Sequence, residues 1–394
     1  MENKKSFSDR FDWTLAFILL LFYIVSIIAI SSAQTTDQYH TNFIPKQTFW
    51  YISGALVIGL TMFFDSEQYK KMSWFLYAGG ILILIALVLA PGGVGQIAEP
   101  RGGAKSWFHL PGIGSLQPSE LMKTFFILAL AQVISKHNEK FLFRSIKTDI
   151  ILLGKILITT GIPLLFIIQQ PDLGTSLVFL AITSALIVVG GITWKIVVPV
   201  LFTSITMGGT FLWMALYKQD ILEKFGFHKY QFGRVYSWLD PYSYANTEGY
   251  HLITSLKAIG SGEMFGKGYK GREVYVAENH TDFVFSVIGE EYGFIGASIV
   301  ISLFFLLIYQ LTKTAIQIKD PFSTYVCTGI IAMITFHVFE NIGMTIQLLP
   351  ITGIPLPFIS YGGSSLIGNM LAIGLVFSMK FHHKTYMFAK NEDD

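Results

Sequence analysis

Long apolar runs separated by short polar segments dominate the chain. A bilayer core about 30 Å thick requires roughly 20 apolar residues for each helix that crosses it. Ten runs approach that length, and the pattern therefore predicts an all-α integral membrane protein of about ten transmembrane helices, with residues 1–394 forming one membrane domain. The predicted spans are residues 13–33, 48–64, 73–90, 118–135, 150–170, 173–190, 194–217, 285–311, 324–349 and 363–380.

Composition supports lipid as the solvent of this chain. Only 14% of the 394 residues are charged and the mean hydropathy is +0.53, whereas soluble domains carry about 25% charged residues. The first apolar run is about 20 residues long and nine more follow it, so we interpret it as a retained helix rather than a signal peptide, whose apolar core spans about 7–15 residues. The single cysteine, Cys327, excludes an intrachain disulfide.

The distribution of Lys and Arg predicts the orientation in the membrane. With a cytoplasmic N-terminus, the inner segments hold fifteen basic residues and the short outer loops hold three, Lys46, Arg101 and Lys105. This asymmetry follows the positive-inside rule. We therefore expect both termini in the cytoplasm of the cell that carries this protein in its plasma membrane. The formal net charge of +2 does not favour a nucleic acid or another polyanion as a partner.

Three segments outside the helices are placed on the outer face by the charge argument. Residues 91–117 are rich in Gly and Pro. Residues 218–282 mix aromatic residues with charges of both signs, which is typical of one long ordered extracellular loop rather than a linker. Residues 350–363 contain three prolines and cannot form a plain helix. Broken backbone at membrane depth is tolerated where it is buried in protein or lines a cavity.

Ionisable residues in or beside the spans are candidates for substrate contacts. Glu120 and Lys123 lie one helical turn apart, so they form either a structural ion pair or part of a site. Asp172 and Asp282 each precede a predicted helix, where a carboxylate either caps the helix or serves as a general base. The residues themselves leave both alternatives open.

Other polar residues of the outer segments offer weaker signals. Trp107 suits a membrane interface, yet with Arg101 and Lys105 beside it the group could flank a pocket for an anionic sugar phosphate. His280 stands alone and is not part of a zinc-binding pattern. A magnesium or manganese ion held by one carboxylate and substrate phosphates would leave no sequence signature, so the sequence permits a divalent cation and indicates no organic cofactor.

Five motifs, taken in order along nearly the whole chain, resemble the SEDS family (shape, elongation, division and sporulation) of membrane glycosyltransferases that polymerise peptidoglycan. Each lies at an outer boundary of the predicted helix bundle. Residues 350–357 are most similar to the elongation branch of that family. The matching stretches are residues 102–107 (GGAKSW), 117–123 (QPSELMK), 170–175 (QPDLGT), 280–291 (HTDFVFSVIGEE) and 355–365 (PLPFISYGGSS).

The resemblance implies a specific reaction and a specific site. It implies that Asp282 is the catalytic carboxylate and that Lys123, Asp172 and Glu120 line the same outward-facing cavity. The expected donor is lipid II, a disaccharide-pentapeptide linked to a polyprenyl diphosphate, and the expected product is a β-1,4 glycan strand formed by inversion during cell elongation. The resemblance also implies a class B penicillin-binding protein as partner. The remaining expected substrate contacts are Arg101, Lys105, Trp107, His280 and Ser360.

A transporter or flippase for the same lipid precursor is the alternative, because ionisable residues and broken helices also serve transport. Two features of the sequence favour the enzyme. The chain has no internal repeat, and its candidate charges are predicted at the outer face rather than at the bilayer midplane.

Overall fold

The computed structural model of the protein describes residues 7–34, 42–92, 97–98, 105–110, 114–218, 229–247 and 249–383. Thirteen α-helices lie in these ranges, and ten of them correspond to the ten predicted spans. The helices are α1 (Phe7–Arg10), α2 (Trp13–Ala33), α3 (Phe43–Thr61), α4 (Ser66–Leu89), α5 (Pro118–Lys140), α6 (Ile146–Ile168), α7 (Leu173–Val189), α8 (Trp194–Tyr217), α9 (Lys229–Leu239), α10 (Tyr250–Ser261), α11 (Val284–Gln317), α12 (Pro321–Thr345) and α13 (Gly363–His382).

The prediction of an all-helical membrane protein is confirmed. Seven described helices are long and apolar enough to cross a membrane, and α7 is an apolar helix one residue shorter than that criterion. Helix α5 does not meet the criterion because it carries charged residues at both ends, and most of its side chains are buried among its neighbours. A helix enclosed by protein on most sides does not need the uniformly apolar surface that lipid requires.

Side chains at the polar boundaries start several of the helices. Asp65 and Ser145 form capping boxes at the first turns of α4 and α6, and Asp172 accepts a hydrogen bond from the backbone of Thr175 at the start of α7. Such caps satisfy amide groups that the helix itself leaves without partners. They fix where each helix begins and so set the height of the residues that follow.

The segment between α12 and α13 is broken and buried, as the sequence predicts. Its carbonyl groups are satisfied by side chains of α2 and α3: Ser26 donates to the carbonyl of Ile359 at 2.8 Å, Gln47 donates to the carbonyl of Ser360 at 3.2 Å, and Tyr51 donates to the carbonyl of Phe358. Polar residues on two neighbouring helices thus replace the hydrogen bonds that a continuous helix would have made.

The long loop before α11 is ordered in its described parts, which contain α9 and α10. Trp238 of α9 and Gln347, just after α12, exchange hydrogen bonds to each other's backbone carbonyls, each at 3.0 Å. This reciprocal pair fastens α9 to the bundle. The other outer loop contains an antiparallel hairpin of β1 (Phe108–Leu110) and β2 (Gly114–Leu116) that the sequence analysis did not predict.

Candidate active site

A cavity of about 1070 Å³ lies where the broken segment, the loops and the ends of α3, α5, α7 and α12 meet. The elements around it are those that the charge pattern assigns to the outer face. Six of the nine residues expected at the site line it: Asp282, Lys123, Glu120, Asp172, Trp107 and His280. These six residues are separated by up to 175 positions in the chain, the separation of Trp107 and Asp282.

The backbone at Asp282 is held by three consecutive hydrogen bonds. The carbonyl groups of residues 280–282 accept, in order, from the amide of Tyr361 at 2.8 Å, the hydroxyl of Ser360 at 2.6 Å and the side-chain amide of Asn341 at 2.8 Å. Two of these donors belong to the broken segment and the third to α12. The broken segment thus has a direct purpose, because it fixes the position of this carboxylate against the cavity.

The Asp282 carboxylate itself faces the cavity. Among the described residues, no side chain or amide donates a hydrogen bond to its oxygens. Burial and, to a smaller extent, the charge of Glu278 raise the pKa of Asp282 to about 7, against the opposite effect of Arg234. A carboxyl group with a pKa near the working pH is suited to accept a proton from a substrate hydroxyl.

A glycine keeps the space in front of this carboxylate open. Gly353 has a φ of +75°, in the region that favours glycine. A Cβ atom built at this position would lie 3.2 Å from Oδ2 of Asp282. Any larger residue would therefore strain the backbone and crowd the carboxylate.

Glu120 and Lys123 form an ion pair in the wall of the cavity. The distance from Lys123 Nζ to Glu120 Oε1 is 2.9 Å, and both side chains are almost completely buried. Lys123 Nζ also lies 3.0 Å from Nε2 of His337 on α12. The two alternatives left open by the sequence are therefore compatible, since the pair is structural in its contacts and also lines the cavity.

Asp172 likewise both caps a helix and lines the cavity. One oxygen caps α7, and the other accepts hydrogen bonds from Gln117 Nε2 at 3.0 Å and from the Thr175 hydroxyl at 2.8 Å. The residue lines the cavity as well. These donors hold the Asp172 carboxylate in a fixed position in the wall of the cavity.

His280 and Trp107 contribute aromatic surface to the cavity. The ring of His280 stacks on Phe43, with ring centres 4.5 Å apart, and approaches Tyr361 at 5.7 Å. Burial lowers the pKa of His280, which favours its neutral form. Neutral aromatic walls of this kind suit the apolar faces of sugar rings.

Two of the expected substrate contacts do not line the cavity. Lys105 donates to the carbonyl groups of Val88 and Ala90, where it caps the end of α4. The Ser360 hydroxyl donates to the Thr281 carbonyl and accepts from the amide of Leu356 at 2.8 Å. These contacts give both residues a role in holding loops in place, and their contact with substrate stays a prediction. Arg101 lies outside the described residues.

The cavity also contains residues that sequence reasoning missed. Arg234 comes from α9, and nothing in the sequence of the long loop indicates that this helix lies over the site. His337 did carry a signal, because an ionisable residue inside an apolar span is costly and marks a site by default. Glu278, Gln117, Lys46 and Trp50 also line the cavity.

The described residues contain no group of three or more His, Cys, Asp or Glu side chains arranged to hold a metal ion. Asp282 and Glu278 nevertheless both line the cavity and interact electrostatically. One or two carboxylates together with substrate phosphates are the usual ligands of Mg²⁺. The residues present therefore fit a divalent cation that arrives with a phosphorylated substrate, and they do not form a complete protein-built metal site.

The fold and the cavity define a multi-pass membrane protein with a cavity lined by charged residues. The chain belongs to the family of FtsW, RodA and SpoVE cell cycle proteins, whose family model matches residues 9–385. It is 32% identical over 388 residues to the peptidoglycan glycosyltransferase MrdB of Escherichia coli strain K12, covering 97% of each chain. The expected family is thereby confirmed.

Two solved structures share the fold. A chain of a peptidoglycan synthase complex, in which polymerization and crosslinking are structurally coordinated, matches with a TM-score of 0.76 and 26% identity, over 94% of this chain and 97% of that one. The Rod shape determining protein RodA of Thermus thermophilus matches with a TM-score of 0.67 and 25% identity, over 95% of this chain and 98% of that one.

Proposed function

We propose that this chain is a peptidoglycan glycosyltransferase that polymerises lipid II into β-1,4 glycan strands, with Asp282 as the general base. The observation that carries the proposal is the Asp282 carboxylate, which is fixed by three backbone hydrogen bonds, has a raised pKa and faces a cavity of about 1070 Å³. Family membership supplies the reaction class, and the site supplies the residues.

The first chemical task is removal of a proton from the attacking 4-hydroxyl of the acceptor sugar. Asp282 accepts this proton as the hydroxyl oxygen bonds to the anomeric carbon of the donor, and a positioned base of this kind contributes about 10²–10⁴-fold to the rate. Attack opposite the departing group inverts an α-linked donor to a β-linked product. Gly353 leaves room for the hydroxyl beside the carboxylate.

The second task is stabilisation of the diphosphate that leaves with the polyprenyl chain. Lys123 and Arg234 are cations that line the cavity with Asp282. A positive charge placed where negative charge develops lowers the barrier of such a step. We propose Lys123 and Arg234 as diphosphate contacts. Glu120 orients Lys123, and Asp172 holds the cavity wall through Gln117 and Thr175.

A divalent cation is part of this proposal. When bound, it would supply additional positive charge at the diphosphate, with Glu278 as the cavity carboxylate that would hold it. Trp107 and His280 are proposed to contact the sugars, and Arg101 remains a proposed contact on the family resemblance alone.

We further propose that the cavity opens to the outside of the cell, that both termini are cytoplasmic, and that the protein acts in elongation. The basic residues of the inner segments support the orientation. Similarity to RodA and to a chain of a peptidoglycan synthase complex supports the branch and a class B penicillin-binding protein as partner.

The test uses the full-length protein purified in detergent and incubated with labelled lipid II. We expect glycan polymer from the wild type and from Asp65→Asn, a control that changes the same type of residue at the capped start of α4. We expect none from Asp282→Asn at equal folding. A flippase or transporter would make no polymer in any variant, and polymer from Asp282→Asn would exclude Asp282 as the base.

A further inference from the structure

A histidine that the reaction described above does not use lies against Lys123. His337 is 2% exposed, belongs to α12, and places Nε2 at 3.0 Å from Nζ of Lys123. Lys123 is 1% exposed and belongs to α5. The contact therefore joins two helices across the wall of the cavity.

The chemistry of the two groups fixes the direction of this hydrogen bond. An ammonium group carries only donors, so Nε2 of His337 must accept through its lone pair. The imidazole ring is then neutral, with its proton on Nδ1. His337 adds no charge to the site and leaves the positive charge on Lys123.

Two partners hold the ammonium from different helices. Glu120 approaches it from the same helix at 2.9 Å, and His337 approaches it from α12. Since an ammonium has three N–H groups, one remains to donate into the cavity that Lys123 lines. Without the acceptor on α12, Lys123 would be held by Glu120 alone, and a lysine side chain has many conformations available to it.

We infer that His337 is a positioning residue, which accepts a hydrogen bond from Lys123 and holds its ammonium toward the diphosphate of the donor. The inference rests on the proposed function, because it deepens the role of Lys123 in that site. It predicts that an acceptor atom, rather than an imidazole ring, is what position 337 requires. A displacement of about 1 Å at a reacting group can cost roughly 100-fold.

The test compares His337→Gln, which offers an amide oxygen at a similar distance, with His337→Met, which fills the volume without a strong acceptor. We expect His337→Met to lower kcat/KM for lipid II by about tenfold or more and His337→Gln to recover most of that loss. His137→Met is the matched control, because His137 is a buried histidine of α5 that does not line the cavity. It should leave kcat/KM within about twofold.

Coupling to Lys123 separates positioning from a general packing effect. The Kd of fluorescent lipid II is measured in the Asp282→Asn background, where turnover is blocked. The effect of His337→Met on this Kd is determined once with Lys123 present and once with Lys123→Met. We expect weaker binding only when Lys123 is present. An equal loss in both backgrounds, or equal activities of His337→Gln and His337→Met, would overturn the inference.

Two further measurements keep the outcome decisive. If His337→Met fails to fold, His337→Asn takes its place, because the shorter amide cannot reach Lys123 Nζ, and it should resemble a loss of the acceptor. Wild type and Asp282→Asn are assayed in parallel. Polymer from the former alone supports the proposed function, whatever the result at position 337.

Discussion

Two carboxylates eight residues apart, Asp282 and Glu290, show how the same functional group acquires different roles. Glu290 is 1% exposed, and its Oε1 accepts from Lys267 Nζ at 3.0 Å and from the amides of Glu273 and Val274 at 2.8 and 3.0 Å. The side-chain oxygens of Asp282 accept no hydrogen bond from the described residues. Glu290 therefore organises the preceding loop, whereas Asp282 retains its capacity to accept a proton.

The backbone explains how this contrast is maintained. Around Glu290, Gly262 and Gly266 allow the loop to pack directly on residues 289–291, so that donors reach the carboxylate. Around Asp282, the donors instead bind its backbone carbonyl and those of the two residues before it. The chain fixes the position of Asp282 without satisfying its side chain, which is the arrangement that a general base requires.

The largest difference is expected when each of the two carboxylates is replaced by the isosteric amide. Asp282→Asn should reduce polymerisation by at least about 100-fold because the base is lost, with no loss of melting temperature. Glu290→Gln should cost about 1–3 kcal/mol of stability by weakening charged hydrogen bonds, with activity within about threefold. Polymerisation rate and thermal unfolding are measured for both. The reverse pattern would contradict the assignment.

A smaller effect is expected from crowding Asp282. Gly353→Ala should lower kcat by about tenfold, since a Cβ atom would lie 3.2 Å from Oδ2 and a positive φ costs roughly 1–2 kcal/mol for alanine. Gly268→Ala is the matched control, because Gly268 also has a positive φ, +88°, but faces open space. Equal losses of activity in the two variants would assign the effect to backbone strain alone.

The charges near Asp282 should move the pH dependence in opposite directions. Arg234 lowers the pKa of Asp282, so Arg234→Gln should shift the acidic limb of the pH–rate profile to higher pH. Glu278 raises that pKa, so Glu278→Gln should shift the limb to lower pH. We expect shifts of roughly half to one pH unit, within the range that nearby charges produce. Shifts of the same sign in both variants would exclude a direct electrostatic effect on Asp282.

The smallest effect is on stability. The pKa of Asp282 is raised in the folded protein to about 7, above the ordinary value of about 3.9. Protonated Asp282 therefore stabilises the folded protein. This contribution is fully present below about pH 4 and is lost as the pH rises through about 7. Asp282→Asn should raise the melting temperature by roughly 1–3 °C at pH 8, and this gain should shrink toward pH 5. A gain that is constant with pH would contradict the raised pKa.

Much of the fold could be predicted because hydropathy reports directly on what each helix contacts. All ten spans correspond to helices of the structure, and the break at residues 350–363 follows from its prolines. The hairpin at residues 108–116 could not be predicted, because its short strands have no repeating pattern long enough to distinguish them from a loop.

The site was predictable only where a local motif carries it. Asp282, Asp172 and the Glu120–Lys123 pair lie in recognisable stretches, and the structure places all four at the cavity. Arg234 reaches the cavity because Trp238 and Gln347 bind each other across 109 residues, and such a contact leaves no local signature. Lys105 and Ser360 resemble substrate contacts in sequence, yet their polar atoms are used by backbone groups.

We propose the Asp282 carboxylate, whose pKa is raised to about 7, as the base of glycan polymerisation. The most direct test is the pH dependence of kcat/KM for lipid II, measured with the purified wild-type protein from pH 5 to 9. We expect a rate that rises about tenfold per pH unit below about pH 7 and then levels off. A rate that stays constant from pH 5 to 8 would contradict it.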